Sequence, residues 1–284
     1  MVIVDFERPG GAIERVAAVG SCRLLAPMAE AIRAHDGRVV CHAGAGYTHS
    51  ASEAAQHIAF CRRQLDVPVY FSPYIFDRDA MPVIREKTPG IIESAQTFIV
   101  EISTREDLIC DKYSFNSLAL IRRLVQRKGA TLLSWFRQLS RDPPTIEMLD
   151  MAVNSLVLAG TDVDTPVRRV LEETRRISLN PQEFARDVAN IIFDPAKRWI
   201  FLPNFDVSEI FYEQFPGRAE LRDMLLGEVS KRGYEIFDPT PVVLREGRAN
   251  ALDGPYHYTR EFVSVMGEAI FQAILANGAV RPVP

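Results

Sequence analysis

The stretch Arg15-Val16-Ala17-Ala18-Val19-Gly20-Ser21-Cys22-Arg23-Leu24-Leu25 decides the fold. An apolar run of strand type stops at Gly20-Ser21, and Leu24, Leu25, Met28, Ala29 and Ile32 then recur at helical spacing. A strand that turns directly into a helix is the repeating unit of an α/β protein, whose ligands bind beyond the carboxyl ends of parallel strands. The turn puts the Cys22 thiol at that position. Free N–H groups and the partial positive charge of a helix N-terminus are expected to favour thiolate over thiol, which makes Cys22 the leading candidate nucleophile.

Outward from this turn, strand and helix patterns alternate. Arg38–His42 reads as a strand, Ala51 to about Gln64 as a helix, Thr97–Ile102 as a strand and Ser117 to Lys128 as a helix. Trp199–Leu202 and Tyr234–Phe237 read as buried strands with a helix over Phe211–Arg232 between them. The last helix is expected from about Arg260 to Ala276, stopped by Asn277-Gly278. The alternation predicts an α/β fold, a flavodoxin-like three-layer α/β/α arrangement with a central, mostly parallel sheet. Residues 141–196 break the pattern. Pro143-Pro144 opens a stretch of helix formers without a strand signal, in which Asp164-Thr165-Pro166 and Asn180-Pro181 mark helix starts. The expected organisation is one domain over 1–284 that contains a helical insertion at 141–196.

Composition narrows the function classes. With 47% hydrophobic and 25% charged residues, the 284-residue chain can bury a large core. A net charge of −4 with scattered basic pairs leaves no basic stripe, so neither nucleic acid nor an acidic membrane surface is an expected partner. The residues Met1–Glu7 show no charged-then-apolar signal pattern, and a cytoplasmic protein with no membrane insertion is expected. The 4 cysteines, at positions 22, 41, 61 and 110, are too scattered for a disulfide framework.

A second stretch, Ala251-Leu252-Asp253-Gly254-Pro255-Tyr256-His257-Tyr258-Thr259, precedes the final helix. Its Asp-Gly-Pro turn puts His257 on a loop or first helical turn, where the ring can take a proton from a thiol while Asp253 fixes its tautomer. Glu101, Asn204 and Asp206 are further candidates because they stand at expected strand ends. Asp111-Lys112-Tyr113 reads either as a substrate contact or as a solvated connection. Cys41, His42, His49, His57 and Cys61 contain zinc-ligand types, but Cys41 and His42 alternate across a strand and no Cys-x-x-Cys knuckle is present, so no metal is expected. His49 precedes Ser50-Ala51-Ser52-Glu53, a capping-box pattern, which puts it on a loop near the site mouth.

The Gly20-Ser21-Cys22 start and the Asp253…His257 end resemble the SGNH (GDSL-like) hydrolase superfamily. The Gly-Ser-Cys variant looks most like its GSCFA group and like capsule-biosynthesis acyltransferase relatives that begin Gly-Asn-Cys-Gln. By that resemblance Cys22 matches the nucleophilic serine, Ser21 the aspartate before it and His257 the terminal base. Gly46, or Gly44, matches the glycine whose N–H helps hold the oxyanion. Three residues separate Asp253 from His257 where the family has two, and Ser103 in Glu101-Ile102-Ser103-Thr104 stands where the family has an oxyanion-hole asparagine. The resemblance implies an enzyme that moves an acyl group through a Cys22 thioester to a sugar or small metabolite. No cofactor is required, and an acyl-coenzyme A is a possible donor. An esterase or thioesterase, and a non-catalytic module holding a carbohydrate or small-molecule ligand, are the competing readings.

Overall fold

The computed structural model describes residues 1–44, 46–125, 130–205, 217–254 and 257–276. In chain order it contains β1 (Val2–Glu7), β2 (Ile13–Val19), α1 (Cys22–Ala34), β3 (Arg38–His42), α2 (Ala51–Cys61), α3 (Ser72–Ile75), α4 (Thr88–Glu93), β4 (Thr97–Ile102), β5 (Glu106–Cys110) and β6 (Tyr113–Phe115). There follow α5 (Ser117–Leu120), a π-helical turn over Ile121–Val125, α6 (Ala130–Gln138), α7 (Ile146–Leu158), α8 (Thr165–Glu173), β7 (Arg175–Ser178), α9 (Pro181–Ile191) and β8 (Arg198–Pro203). The chain closes with α10 (Arg218–Lys231), β9 (Glu235–Ile236), α11 (Thr240–Glu246), α12 (Arg248–Ala251), β10 (Leu252–Asp253), β11 (His257–Tyr258) and α13 (Arg260–Leu275).

The class is mixed α/β with a mostly parallel central sheet, ordered β3-β1-β2-β4-β8-β9. Strands β2, β4, β8 and β9 run parallel in succession, while β1 lies antiparallel between β2 and β3. Alternate side chains divide the core in two. Ala17, Val19, Phe98, Val100, Trp199 and Phe201 pack on one face with α2, α9 and α10. Val16, Ala18, Ile99, Ile200 and Leu202 pack on the other with α1 and α13. Helices α1 and α13 approach closely because position 267 is glycine: a Cβ there would stand 2.6 Å from the Pro27 carbonyl oxygen. That packing ties the helix that begins at Cys22 to the helix that follows His257.

Several expectations need correcting. Strand β1 was not anticipated, and of its two carboxylates only Asp5 is buried, where it must be paired. Arg15 donates to Asp5 at 2.6 Å and Arg38 at 2.9 Å, and the Arg15 contact foremost holds the Asp5 carboxyl below its ordinary range. The 141–196 stretch is not purely helical: β7 joins β5 and β6 in a three-stranded antiparallel sheet. Arg175-Arg176-Ile177-Ser178 carries almost no strand signal, and its pairing with β5 is a tertiary effect. Asp111 turns between β5 and β6 at φ 57°, but Tyr113 is buried and donates to the Asp66 carbonyl, so the segment is not simply a solvated loop. The expected helix from Ser117 is one short α-helix running into the π-helical turn, and Lys128 lies outside the described residues. So do Asp206, the first part of the Phe211–Arg232 helix, and Asn277-Gly278. The helix starts at Asp164 and Asn180 stand as read: both side chains cap, Asn180 in a full capping box with Glu183.

Candidate active site around Cys22

Ser21 is the N-cap of α1 and Cys22 its first helical residue, because the Ser21 side chain accepts from the Arg23 N–H and leaves the thiol at the carboxyl end of β2. The Cys22 Sγ lies 3.7 Å from His257 Nδ1, across 235 positions of sequence. His257 reaches it from β11, not from a loop or helical turn as expected. The hairpin β10–β11 sets Asp253 directly opposite His257, both exposed, with no hydrogen bond between them among the described residues. The sulfur meets Nδ1, which leaves Nε2 as the ring nitrogen for an orienting acid or solvent.

Beneath the thiol is a buried polar network. Glu101, 1% exposed at the carboxyl end of β4, accepts from the Ser21 N–H at 2.7 Å and from the Ser21 hydroxyl. Arg23 donates to Glu101 at 3.1 Å and, through Nη1, to Asn204 Oδ1 at 2.9 Å. A guanidinium has only donors, so the Asn204 carboxamide must turn its oxygen to Arg23 and its NH₂ away. The carboxylate reaches the turn because Gly20 has no side chain: a Cβ there would lie 2.6 Å from Glu101 Cβ. Ser21 and Asn204 are therefore tied into the site's floor. Glu101 was legible as a carboxylate in an apolar strand, which demands a partner. Arg23, adjacent to the nucleophile, was missed, although a charge opening an otherwise apolar helix face was its signal.

The electrostatics overturn one expectation. Burial, with Glu101 behind it, raises the Cys22 thiol above its ordinary pKa; Arg23, the Cys22 N–H and the Ser21 hydroxyl oppose that rise without reversing it. Cys22 rests as a thiol. Burial, with Glu101 nearby, also holds the Tyr258 hydroxyl above the ordinary phenol range, keeping it neutral.

The remaining candidates lie on the loop over residues 46–50 and on the elements around it. Thr48 N–H donates to the Gly20 carbonyl at 3.3 Å, which presses this loop against the turn before Cys22. Ser103 donates its N–H to the His49 carbonyl at 2.7 Å, and its hydroxyl lies 3.4 Å from His49 Nδ1. Burial lowers the His49 pKa, so the ring is neutral. Gly46, at φ 80°, abuts the Phe76 carbonyl, where a Cβ would come within 2.9 Å. Gly44, at φ 72°, sits against His57 and Cys61 and serves packing there. Burial drives His57 down to about 3 and Cys61 up to about 12, while His42 is exposed. Among the described residues, no three His, Cys, Asp or Glu side chains gather as a metal site.

Past the loop, Ser50 caps α2 and donates to Asp107; Ser52 donates to Asp107 at 2.5 Å and to Asp187 of α9 at 2.8 Å. These bonds tie the small sheet and α9 to the site loop. Among the described residues no helix is long and apolar enough to cross a membrane.

The sequence matches the family described as the TviD N-terminal domain over residues 14–273. It is also similar to the Vi polysaccharide biosynthesis protein TviD of Salmonella typhi, at 22% identity over 273 residues. That alignment covers 92% of this chain and 31% of the relative, so the chain spans about a third of the relative's length. No solved structure matches.

Proposed function

The chain belongs to the TviD N-terminal domain family, and from that premise and the Cys22–His257 pair we propose a cysteine-nucleophile acyltransferase acting in polysaccharide biosynthesis. The observation that carries the reading is the 3.7 Å approach of Cys22 Sγ to His257 Nδ1 at the carboxyl end of β2. The relative's name supplies the polysaccharide setting. The flavodoxin-like, SGNH-type frame, one domain with its insertion at 141–196, belongs to this proposal.

In the first half-reaction His257 takes the Cys22 proton as the sulfur attacks the acyl carbonyl. The raised thiol pKa makes this general-base removal necessary, because little thiolate exists beforehand. The Cys22 and Gly46 N–H groups hold the oxyanion, each such donor being worth about 3 kcal/mol. The donor's bond to its leaving group breaks, His257 returns the proton to that group, and acyl-Cys22 remains. In the second half-reaction His257 takes the proton of an acceptor hydroxyl, whose oxygen attacks the thioester; Cys22 leaves as thiolate and recovers the proton. An acyl-coenzyme A is the donor class, which places the reaction in the cytoplasm. Asp253, opposite His257 in the hairpin, is the acid assigned to orient the ring through Nε2. Ser103 and His49 form the neighbouring wall.

The test is intact-mass spectrometry of wild type, Cys22→Ala and His257→Ala after brief exposure to acetyl-coenzyme A and to activated acyl esters. One added acyl mass, absent in Cys22→Ala and formed slowly in His257→Ala, is expected. The exposed, unbonded Asp253–His257 pair favours a second reading, a non-catalytic crevice. Absence of an adduct with every donor selects it.

A further inference from the structure

Asn116 stands between β6 and α5 and is 5% exposed. Both polar atoms of its side chain are committed. Oδ1 accepts from the Ala119 N–H at 2.9 Å and caps α5; Nδ2 donates to the Tyr47 carbonyl at 2.9 Å and to Glu53 Oε2 at 3.3 Å. That pattern admits one orientation of the carboxamide, because a backbone N–H requires its oxygen and a backbone carbonyl its NH₂. Glu53, also buried, accepts from the His49 N–H at 3.1 Å as well. Burial foremost, with the Asp107 charge adding to it, pushes the Glu53 carboxyl well above its ordinary range, so it receives these N–H groups as a neutral acceptor.

The Tyr47 carbonyl shares a planar peptide unit with the Thr48 N–H, and the two point in opposite directions. Held by Asn116 on one side, this unit donates on the other to the Gly20 carbonyl at 3.3 Å. The Gly20 carbonyl shares its own peptide unit with the Ser21 N–H, which donates to Glu101 Oε2 at 2.7 Å. Two peptide units thus form one hydrogen-bonded chain from Asn116 to Glu101, and the second of them is the turn that presents Cys22. Bonds in such a chain polarise one another. The 3.3 Å link is the longest of the three, so it is the most sensitive to how the 47–48 unit is aimed.

We propose that Asn116 is a positioning residue for the reaction at Cys22: through the 47–48 and 20–21 peptide units it sets the turn from which the thiol attacks, and Glu53 fixes its NH₂ in that aim. Its part in a reaction rests on the acyltransferase reading; the chain of bonds to the Cys22 turn does not.

Asn116→Ser separates this role from the helix cap, because serine caps as well as asparagine but is too short to reach the Tyr47 carbonyl. Hydrogen exchange followed by NMR and single-turnover acylation by acetyl-coenzyme A, both on the full chain, read the result. Expected is exchange about tenfold faster at the Thr48 and Ser21 amides, as the loss of one neutral hydrogen bond implies, while the β4 amides of Ile99 and Val100 stay as protected as in wild type. The acylation rate constant at saturating donor is expected to fall about tenfold with the half-saturating donor concentration unchanged, because the donor's own contacts remain. Glu53→Leu, close in size but without an acceptor, is expected to show the same pattern, and Glu53→Gln, which keeps the acceptor, to give back most of it. A Ser21 amide and an acylation rate that Asn116→Ser leaves as in wild type overturn the proposal. So does faster exchange spread evenly over β4, which marks a general loosening of the fold. If wild type forms no adduct with any donor, the acyltransferase reading fails, and the Ser21 amide alone decides whether Asn116 sets the turn.

Discussion

Asp107→Asn makes a quantitative test of how the small sheet is joined to the site loop. Asp107 is 1% exposed, and burial raises its pKa from 3.8 to about 6 in spite of the Ser50 and Ser52 hydroxyls that donate to it; the Asp187 charge adds to the rise. A carboxyl with a raised folded pKa destabilises the fold once ionised. Below pH 3.8 both states are neutral and no penalty exists. As pH climbs toward 6 the unfolded chain ionises first and stability falls, and above 6 the full penalty persists. A shift of about two units corresponds to roughly 3 kcal/mol at pH 8, of which roughly 1.4 kcal/mol develops between pH 5 and 8. Asparagine keeps the geometry: its oxygen accepts from Ser50, and its NH₂ donates to Ser52, whose own proton goes to Asp187. Neutralising residue 107 also removes a repulsion that pushes buried Glu53 upward. Urea unfolding, followed by the fluorescence of buried Trp135 and Trp199, reads the result. The variant is expected to be more stable than wild type at pH 8 by about 2–3 kcal/mol, with the advantage shrinking by about 1.4 kcal/mol at pH 5. A variant less stable at both pH values, or an advantage independent of pH, would show that the buried Asp107 charge carries no such penalty.

Other outcomes follow from the Cys22 turn. Arg23→Met strands the Glu101 carboxylate in a dry site and is expected to lose about 3–5 kcal/mol in chemical denaturation, with most of it recovered in the Arg23→Met, Glu101→Gln double variant. Equal stability of the single and double variants would show the pair to be uncoupled. Gly20→Ala forces a Cβ against Glu101 Cβ, which cannot swing away as a side-chain tip can; expected are a stability loss of about 1–3 kcal/mol and a slower acylation of Cys22. Wild-type acylation kinetics in that variant would remove the turn from the argument. Because the Cys22 thiol is raised, its iodoacetamide alkylation is expected to be slow at pH 7 and to climb above the ordinary thiol range, and Glu101→Gln should move that climb to lower pH. Rapid alkylation at pH 6 would mean a preformed thiolate.

Residues in local register could be read without a structure. Gly20-Ser21-Cys22, the Ser50, Asp164 and Asn180 caps, and strands β3 and β4 were legible because each depends on neighbours within a few positions. His257 and Asp253 could be named as types near a helix start, but the pairing of two short strands that aims the ring at Cys22 could not. Strand β7 takes its place through pairing with the distant β5, which periodicity does not encode, whereas β1 forms a hairpin with the adjacent β2 and was missed although that partner is local. Local energies, capping and hydrophobic spacing, suffice for the strand-turn-helix that presents Cys22, so it is written in the sequence. That Cys22 rests as a thiol follows from long-range packing instead. Burial and the Glu101 carboxylate, brought under the turn from a strand some eighty residues away, outweigh the local field of the helix N-terminus.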